Sequence, residues 1–180
     1  MGGDCLNTGC VPSKALIRSA RHAHDNSRGS SLGFSDSVID VDFKAIMARV
    51  QRTIAEIEPH DSVERYQGLG VDVEIGEGQV LSPWHVRVNG KTISTRNIVI
   101  ASGAEPFVPP IDNLDAVDYL TSNNLWDLQE TPGRVVVLGG GPIGTELTQA
   151  LGRLGSQVTQ VELLPNILPR EDKEFSSMVQ

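Results

Sequence analysis

The sequence has few cysteines, few aromatic residues and no long hydrophobic run. Two cysteines in 180 residues are too few for the disulfide framework of a secreted protein, or for the four ligands of a structural zinc site. No apolar run approaches the roughly 18 residues of a membrane-spanning helix. Positive charge is also scarce, since 15 Lys and Arg face 23 Asp and Glu for a net charge of −8. We therefore expect neither a nucleic acid nor a membrane surface as partner.

The N-terminus lacks the basic region and apolar core of a secretory signal. Hydrophobic residues make up 39% of the chain and aromatic residues 4%, a composition typical of a globular protein. The length suits one domain or parts of two. We expect a cytoplasmic protein, because the sequence shows no secretory signal and its cysteine pair is typical of a catalytic pair in a reducing compartment.

The two cysteines, Cys5 and Cys10, lie just before a predicted helix that begins at about Val11. A disulfide closing so small a loop adds little loop-closure entropy, so reactivity explains it better than stability does. Cys10 would lie at the helix N-terminus, where free amides and the helix dipole favour a thiolate. Lys14, one turn further on, adds positive charge. Two unrelated buried thiols are the alternative interpretation.

No metal site is predicted. His22 and His24 are two residues apart and would point to different faces of the helix. His60 and Asp61 could suggest a catalytic pair, but a surface turn with Asp61 or Ser62 capping the next short helix is the stronger interpretation.

The middle of the chain predicts a helix after a loop. Apolar residues at three- and four-residue steps indicate a helix over about 41–66, which Pro59 should kink or interrupt. The preceding stretch, 25–40, is rich in Ser, Gly and Asp and is predicted to be a loop.

A small antiparallel unit is predicted next. Apolar and polar residues alternate over 71–75, and Asn89-Gly90 predicts a hairpin turn between strands 85–88 and 92–94. The apolar run 98–101 then predicts a strand buried on both faces. It ends in small residues that would let a ligand approach closely.

The strongest spacing signal lies near the C-terminus. A buried strand over 134–138 leads into a Gly-x-Gly-x-x-Gly turn, a helix that Gly155 ends, and a second strand over 157–161. Such a unit binds a dinucleotide, because glycines permit the tight turn and close approach to the pyrophosphate at the helix N-terminus. The glycines are Gly139, Gly141 and Gly144.

Glu162 ends the second strand, where an acidic residue can accept hydrogen bonds from a ribose 2′-hydroxyl and would repel a 2′-phosphate. The sequence therefore favours NAD over NADP as the dinucleotide.

These motifs, in this order, resemble those of the flavin-dependent pyridine nucleotide–disulfide oxidoreductases. Within that family the sequence is similar to the group of dihydrolipoamide dehydrogenase, mercuric reductase and glutathione reductase. Residues 2–14 resemble the group's redox-active motif, with Asp4 where many members have Thr. Residues 95–106 resemble its second FAD motif, with Ser102 in place of the commoner Thr. The resemblance covers essentially the whole chain.

The resemblance implies electron flow from NAD(P)H through FAD to a Cys5–Cys10 disulfide, and on to a small-molecule or protein disulfide. It implies that Cys10 is the thiolate nearest the flavin, that Cys5 exchanges with substrate, and that Lys14 lies near the flavin's reactive edge. It also implies a homodimeric parent enzyme that serves cell redox homeostasis.

The resemblance further implies two sets of cofactor contacts. For Glu146 the alternative is a structural acid on the helix surface, and for Gly78 it is a plain strand-ending turn. The implied FAD contacts are Gly3, Asp4, Lys14, Gly78, Ala101, Ser102 and Gly103. The implied NAD contacts are Gly139, Gly141, Pro142, Ile143, Gly144, Glu146 and Glu162.

The expected fold class is α/β, an FAD/NAD(P)-binding Rossmann-like three-layer fold with a small antiparallel meander. Residues 1–120 would form part of an FAD-binding domain, 121–132 a crossover, and 133–180 the first half of an NAD-binding domain. Relative to the family, the first FAD-binding segment, the rest of the NAD domain and the domain with the acid–base His are missing. A catalytically inactive fragment, or an interaction module completed by another chain, is therefore the alternative function. A thiol redox module without flavin is a third.

Overall fold

The computed structural model describes residues 1–35 and 40–180. Within these residues, four helices are followed by four short strands, a helix, a strand and a last helix, and 3₁₀ turns lie at Gly29–Leu32, Glu58–Asp61, Leu114–Ala116 and Leu125–Asp127. The elements are α1 (Gly3–Asn7), α2 (Cys10–Ser27), α3 (Phe43–Ile57), α4 (Val63–Gly68), β1 (Gln79–Ser82), β2 (His85–Val88), β3 (Lys91–Ser94), β4 (Arg134–Leu138), α5 (Pro142–Arg153), β5 (Gln157–Val161) and α6 (Lys173–Val179).

The core lies where α2, α3 and α5 pack together. Each of these helices carries apolar residues at three- and four-residue steps, which place them on one face. Small residues on α2 let its neighbours approach closely, and the 3₁₀ turn Leu125–Asp127 covers one side. The buried members include Leu16 of α2, Val50 of α3, Leu151 of α5, and Trp126 of the 3₁₀ turn.

The predicted interruption of the long middle helix is confirmed. Asp42 caps α3 by accepting a hydrogen bond from the Ala45 amide at 2.9 Å. The helix ends just before Pro59, as that residue requires. A 3₁₀ turn holds His60 and Asp61, and the Ser62 hydroxyl then caps α4. The histidine and aspartate therefore belong to a turn, as the stronger interpretation held.

The predicted loop over 25–40 is wrong at its start. Helix α2 continues to Ser27, and Gly29–Leu32 forms a 3₁₀ turn. Polar residues at these positions remain compatible with helix because that part of α2 faces solvent. The part of the loop at positions 36–39 lies outside the described residues.

The hairpin prediction is confirmed. Asn89 and Gly90 both have positive φ, at 49° and 77°, as the two-residue turn between right-twisted strands requires. β2 and β3 pair antiparallel, with His85 opposite Ser94 and Val88 opposite Lys91. β1, which the sequence did not predict, pairs with β2 on its other side.

Two predicted strands are wrong. Residues 71–75 and 98–101 have no strand structure. Val99 and Ile100 are 88% and 75% exposed. Among the described residues neither segment pairs with a neighbouring strand, and apolar composition alone cannot hold a strand without such a partner. Segment 71–75 is instead tied to the hairpin by an ion pair, since Lys91 Nζ lies 2.8 Å from Glu74 Oε1.

The order of elements in the C-terminal unit is confirmed, but its first strand is not buried as predicted, since Val136 and Leu138 are 65% and 53% exposed. β4 and β5 pair in parallel from Arg134 opposite Gln157 to Leu138 opposite Val161. Helix α5 forms the crossover and Gly155, at φ 104°, follows its end. With the antiparallel sheet and helical core, this makes the predicted α/β fold. No helix within the described ranges is long and apolar enough to cross a membrane.

Candidate redox and nucleotide-binding site

Helices α1 and α2 present the two cysteines side by side. Cys5 lies in α1, and Cys10 is the first residue of α2, as the sequence predicted. Both are exposed free thiols. A hydrogen bond with Cys10 raises the pKa of Cys5, and the nearby charge of Cys10 acts in the same direction.

A tight turn joins the two cysteines. The Thr8 and Gly9 amides both donate to the Asp4 carbonyl oxygen, at 3.0 and 2.6 Å. A Cβ on Gly9 would lie 2.9 Å from that oxygen, so only glycine fits there. Gly3, with φ of 53°, opens α1 at the other end. The glycines flanking the pair thus have the backbone role that the sequence indicated.

One ion pair links the thiol helix to the glycine-turn helix. Lys14 Nζ lies 2.5 Å from Glu146 Oε2, although 132 residues separate them in sequence. Lys14 is the fifth residue of α2 and Glu146 the fifth of α5. The N-terminal parts of both helices therefore lie close together. A structural acid on the helix surface would make the same contact, so both interpretations of Glu146 stay open.

The glycine turn has the geometry that a phosphate-binding turn needs. Gly139 has φ of 107°, and a Cβ on Gly144 would overlap its carbonyl oxygen. A Cβ on Gly141 would meet nothing within 4 Å, so the backbone there is open to a ligand. Pro142 and the 69% exposed Ile143 begin α5, whose N-terminus can receive an anion. These residues fit a dinucleotide pyrophosphate.

Glu162 lies against the same turn. Its Oε2 accepts from the Gly140 amide at 2.5 Å, and its Oε1 from the Leu164 amide at 2.9 Å. These hydrogen bonds lower the pKa of Glu162, that from Leu164 most. A carboxylate held ionised beside the turn suits acceptance from a ribose hydroxyl.

The second predicted cofactor motif is only partly assembled. Gly103 has φ of 74°, and a Cβ on it would lie 3.5 Å from Asp4 Oδ1, so two predicted flavin contacts meet. Ala101 and Ser102 are exposed. Gly78 lies just before β1, where a Cβ would meet nothing within 4 Å; none of the described cysteine-loop residues lies against it.

Some residues of the site were not predicted. A Cβ on Gly140 would lie 2.9 Å from Glu162 Oε2, so a larger residue there would displace the Glu162 side chain; the run of three consecutive glycines was its only signal. The negative charge of Asp61 also raises the pKa of Cys5, and it is the smallest of the causes. In the described part of the chain, no group of three or more His, Cys, Asp or Glu could hold a metal ion.

A parallel strand–glycine turn–helix–strand unit is joined by one ion pair to the helix that carries Cys10. The chain belongs to the pyridine nucleotide-disulphide oxidoreductase family, whose model it matches over residues 1–180. The family comprises flavin-dependent enzymes that use pyridine nucleotides.

Curated relatives include a mercuric reductase from Lysinibacillus sphaericus, 33% identical over 180 residues, which cover 100% of this chain and 33% of that protein. The chloroplastic dihydrolipoyl dehydrogenase 2 of Arabidopsis thaliana is 32% identical over 183 residues, covering 100% of this chain and 32% of that protein. The chain thus spans about a third of the length of these relatives.

Among solved structures, the chain is similar to a Cu(II) complex of the HOCl-induced flavoprotein disulfide reductase RclA from Escherichia coli. The TM-score is 0.76 at 28% identity, covering 99% of this chain and 37% of that one.

Proposed function

We propose that this chain carries the redox centre of an FAD-dependent enzyme that uses NAD(P)H to reduce a disulfide. The observation that carries this proposal is the Lys14–Glu146 ion pair. It joins the N-terminal part of the thiol helix to the N-terminal part of the glycine-turn helix. This contact supports the proposal that the dithiol and the dinucleotide would be bound close together.

The residues of this chain fit parts of both NAD(P)H and FAD. The open Gly141 backbone and the α5 N-terminus fit the pyrophosphate of NAD(P)H. Asp4 and Gly103 would lie against FAD, which when bound would carry two electrons from NAD(P)H to the disulfide. Lys14 places a positive charge at the start of both helices.

The two cysteines would have different tasks. Cys10 begins a helix, where amide groups stabilise a thiolate. A hydrogen bond with Cys10 raises the pKa of Cys5. As the family resemblance implies, Cys10 would be the thiolate nearest the flavin, and Cys5 would attack an incoming disulfide after losing its proton. The mixed disulfide then resolves as Cys10 attacks Cys5 and releases the second thiol of the substrate.

Glu162 supports NADH rather than NADPH as the electron donor. Its carboxylate is anchored by two amides and stays ionised, so a 2′-phosphate would meet a fixed negative charge. Binding of NADPH more tightly than NADH would overturn this preference.

The test is flavin absorbance of the purified chain together with NADH-dependent reduction of a small aromatic disulfide. Cys10→Ser and Cys5→Ser should each abolish the reduction. Ser31→Ala, in the exposed 3₁₀ turn after α2, is a matched control that should leave it unchanged. Reduction that persists without Cys10 would contradict the proposal.

A second candidate is a catalytically inactive module that another chain completes. It is favoured by exposed apolar side chains after the hairpin, where Val99, Ile100 and Phe107 are 75–88% exposed. A colourless chain without NADH-dependent disulfide reduction would support it. The homodimeric parent, the cytoplasmic location and the role in cell redox homeostasis remain predictions.

A further inference from the structure

A buried tryptophan touches the loop between the two cysteines. Trp126 lies in the 3₁₀ turn Leu125–Asp127 and is 5% exposed. Its indole Nε1–H donates to the carbonyl oxygen of Thr8 at 3.1 Å, across 118 residues of sequence. Thr8 lies between Cys5 and Cys10, so this is a direct contact from the core to the redox loop.

The bond fixes one end of a single peptide group. The Thr8 carbonyl accepts from Trp126, and the amide of the same peptide, on Gly9, donates to the Asp4 carbonyl at 2.6 Å. A peptide group is planar, so hydrogen bonds at both ends leave it no freedom to rotate. Because this peptide lies one residue before Cys10, its orientation limits where the Cys10 sulfur can lie.

The tryptophan is itself held from the opposite side. Gln51 of α3 donates from Nε2 to the Trp126 carbonyl oxygen at 3.1 Å. The side chain packs in the core formed by α2, α3 and α5. These contacts keep the indole in place, so its N–H can orient the loop between the cysteines.

We propose that Trp126 is a positioning residue for the Cys5–Cys10 pair. Its indole N–H holds the Thr8–Gly9 peptide so that the Cys10 sulfur stays beside the Cys5 sulfur, ready to form the disulfide. The inference rests on the proposed function only in taking this pair to be redox-active. It requires neither flavin nor dinucleotide.

The consequence is thermodynamic. In the exchange with glutathione, one oxidised glutathione oxidises the two thiols to the Cys5–Cys10 disulfide and is reduced to two glutathione molecules. Preorganised thiols favour the disulfide, because less loop freedom is lost when it forms. Without the indole donor the loop gains freedom, and the equilibrium shifts toward the dithiol.

The test is this glutathione equilibrium, measured by thiol labelling in the full chain. Trp126→Phe keeps an aromatic ring and removes the N–H donor. It should shift the equilibrium toward the dithiol, by up to about fivefold if the hydrogen bond of roughly 1 kcal/mol stabilises only the disulfide form. Trp84→Phe is the matched control, because Trp84 is 59% exposed between β1 and β2 and its loss should leave the equilibrium unchanged.

A third variant separates positioning from core damage. Leu151→Ala removes a buried α5 side chain from the same core and should lower stability without moving the thiol equilibrium. An equal shift in Leu151→Ala and Trp126→Phe, or no shift in Trp126→Phe, would overturn the proposal.

A measurement on the unmutated chain covers the case in which Trp126→Phe does not fold. The indole N–H nuclear magnetic resonance signal of Trp126 should move between the reduced and oxidised protein, while that of Trp84 stays in place. A Trp126 signal that is insensitive to the state of the cysteines would overturn the proposal. Because no nucleotide is added, failure of NADH-dependent reduction would count against the proposed function and leave this result intact.

Discussion

At the scale of single residues, steric limits explain why glycines form the turn between β4 and α5. A Cβ on Gly144 would overlap the Gly139 carbonyl oxygen, so the helix could no longer pack closely on the strand. We expect Gly144→Ala to cost about 1–3 kcal/mol of stability, as overpacking does, and to weaken NADH binding. Thermal unfolding and NADH titration measure the two effects.

The control for that change lies in the same helix. A Cβ on Gly152 would meet nothing within 4 Å, and alanine favours helix over glycine by about 0.5–1 kcal/mol. Gly152→Ala should therefore be neutral or stabilising. Equal destabilisation by both substitutions would show that the contact with Gly139 is not the cause.

Cysteine reactivity gives a second prediction at this scale. The hydrogen bond with Cys10 is the main cause that raises the pKa of Cys5. Cys10→Ala should lower that pKa toward its ordinary value, so the iodoacetamide rate of Cys5 at pH 7 should rise severalfold. Asp61→Asn should give a smaller rise, because its charge is the weaker cause. An unchanged rate in Cys10→Ala would contradict the assigned coupling.

Glu162 gives a prediction for pH dependence. Amide hydrogen bonds from Leu164 and Gly140 lower its pKa in the folded chain. Its contribution to stability is therefore present above the unfolded carboxyl pKa of about 4.3 and is lost as pH falls through the lowered value. Glu162→Gln should be less stable than the original chain at pH 7, and this difference should shrink below about pH 4. Urea unfolding at both pH values measures it.

The control for the pH dependence is Glu130→Gln, at an exposed position before β4. It should give a smaller difference in unfolding free energy at pH 7 than Glu162→Gln does. A Glu162 difference that grows on acidification would reverse the assigned direction of the shift.

At the scale of elements, two apolar runs of similar sequence behave differently. β4 pairs with β5 and packs under α5, whereas 98–101 has no strand partner among the described residues. Hydrogen exchange should therefore protect the amides of β4 and leave those of 98–101 fast. Protection of both runs would show that 98–101 is paired after all.

Sequence patterns predicted the elements that local residues determine. The Asn89-Gly90 turn, the Pro59 break and the unit from β4 to β5 all follow from positive φ, a missing amide or short-range periodicity. The runs 71–75 and 98–101 were misassigned because a strand depends on partners that its own residues do not specify.

At the scale of the whole molecule, the main feature is that two distant helices begin at one place. Sequence motifs indicated a thiol helix and a nucleotide unit separately, and the family resemblance implied their connection. In the structure Lys14 Nζ and Glu146 Oε2 lie 2.5 Å apart, which joins the two helices directly. Both side chains are more than a third exposed, so the pair contributes little to stability and chiefly reports how α2 and α5 are arranged.

Trp126 shows what the sequence could not reveal. It lies in the segment predicted to be a crossover, and nothing in its neighbouring residues indicates a partner 118 positions away. Only packing of the 3₁₀ turn on α3 brings its indole to Thr8. Long-range hydrogen bonds of this kind become visible only once the core is assembled.

The central claim is that the cysteine pair receives electrons from a nicotinamide dinucleotide. The most direct test oxidises the pair, supplies FAD, adds one equivalent of NADH without oxygen, and counts alkylated cysteines by mass spectrometry. The account predicts that Cys5 and Cys10 both become alkylated as NADH is consumed. Consumption of NADH by the flavin-loaded chain with the Cys5–Cys10 disulfide left intact would contradict it.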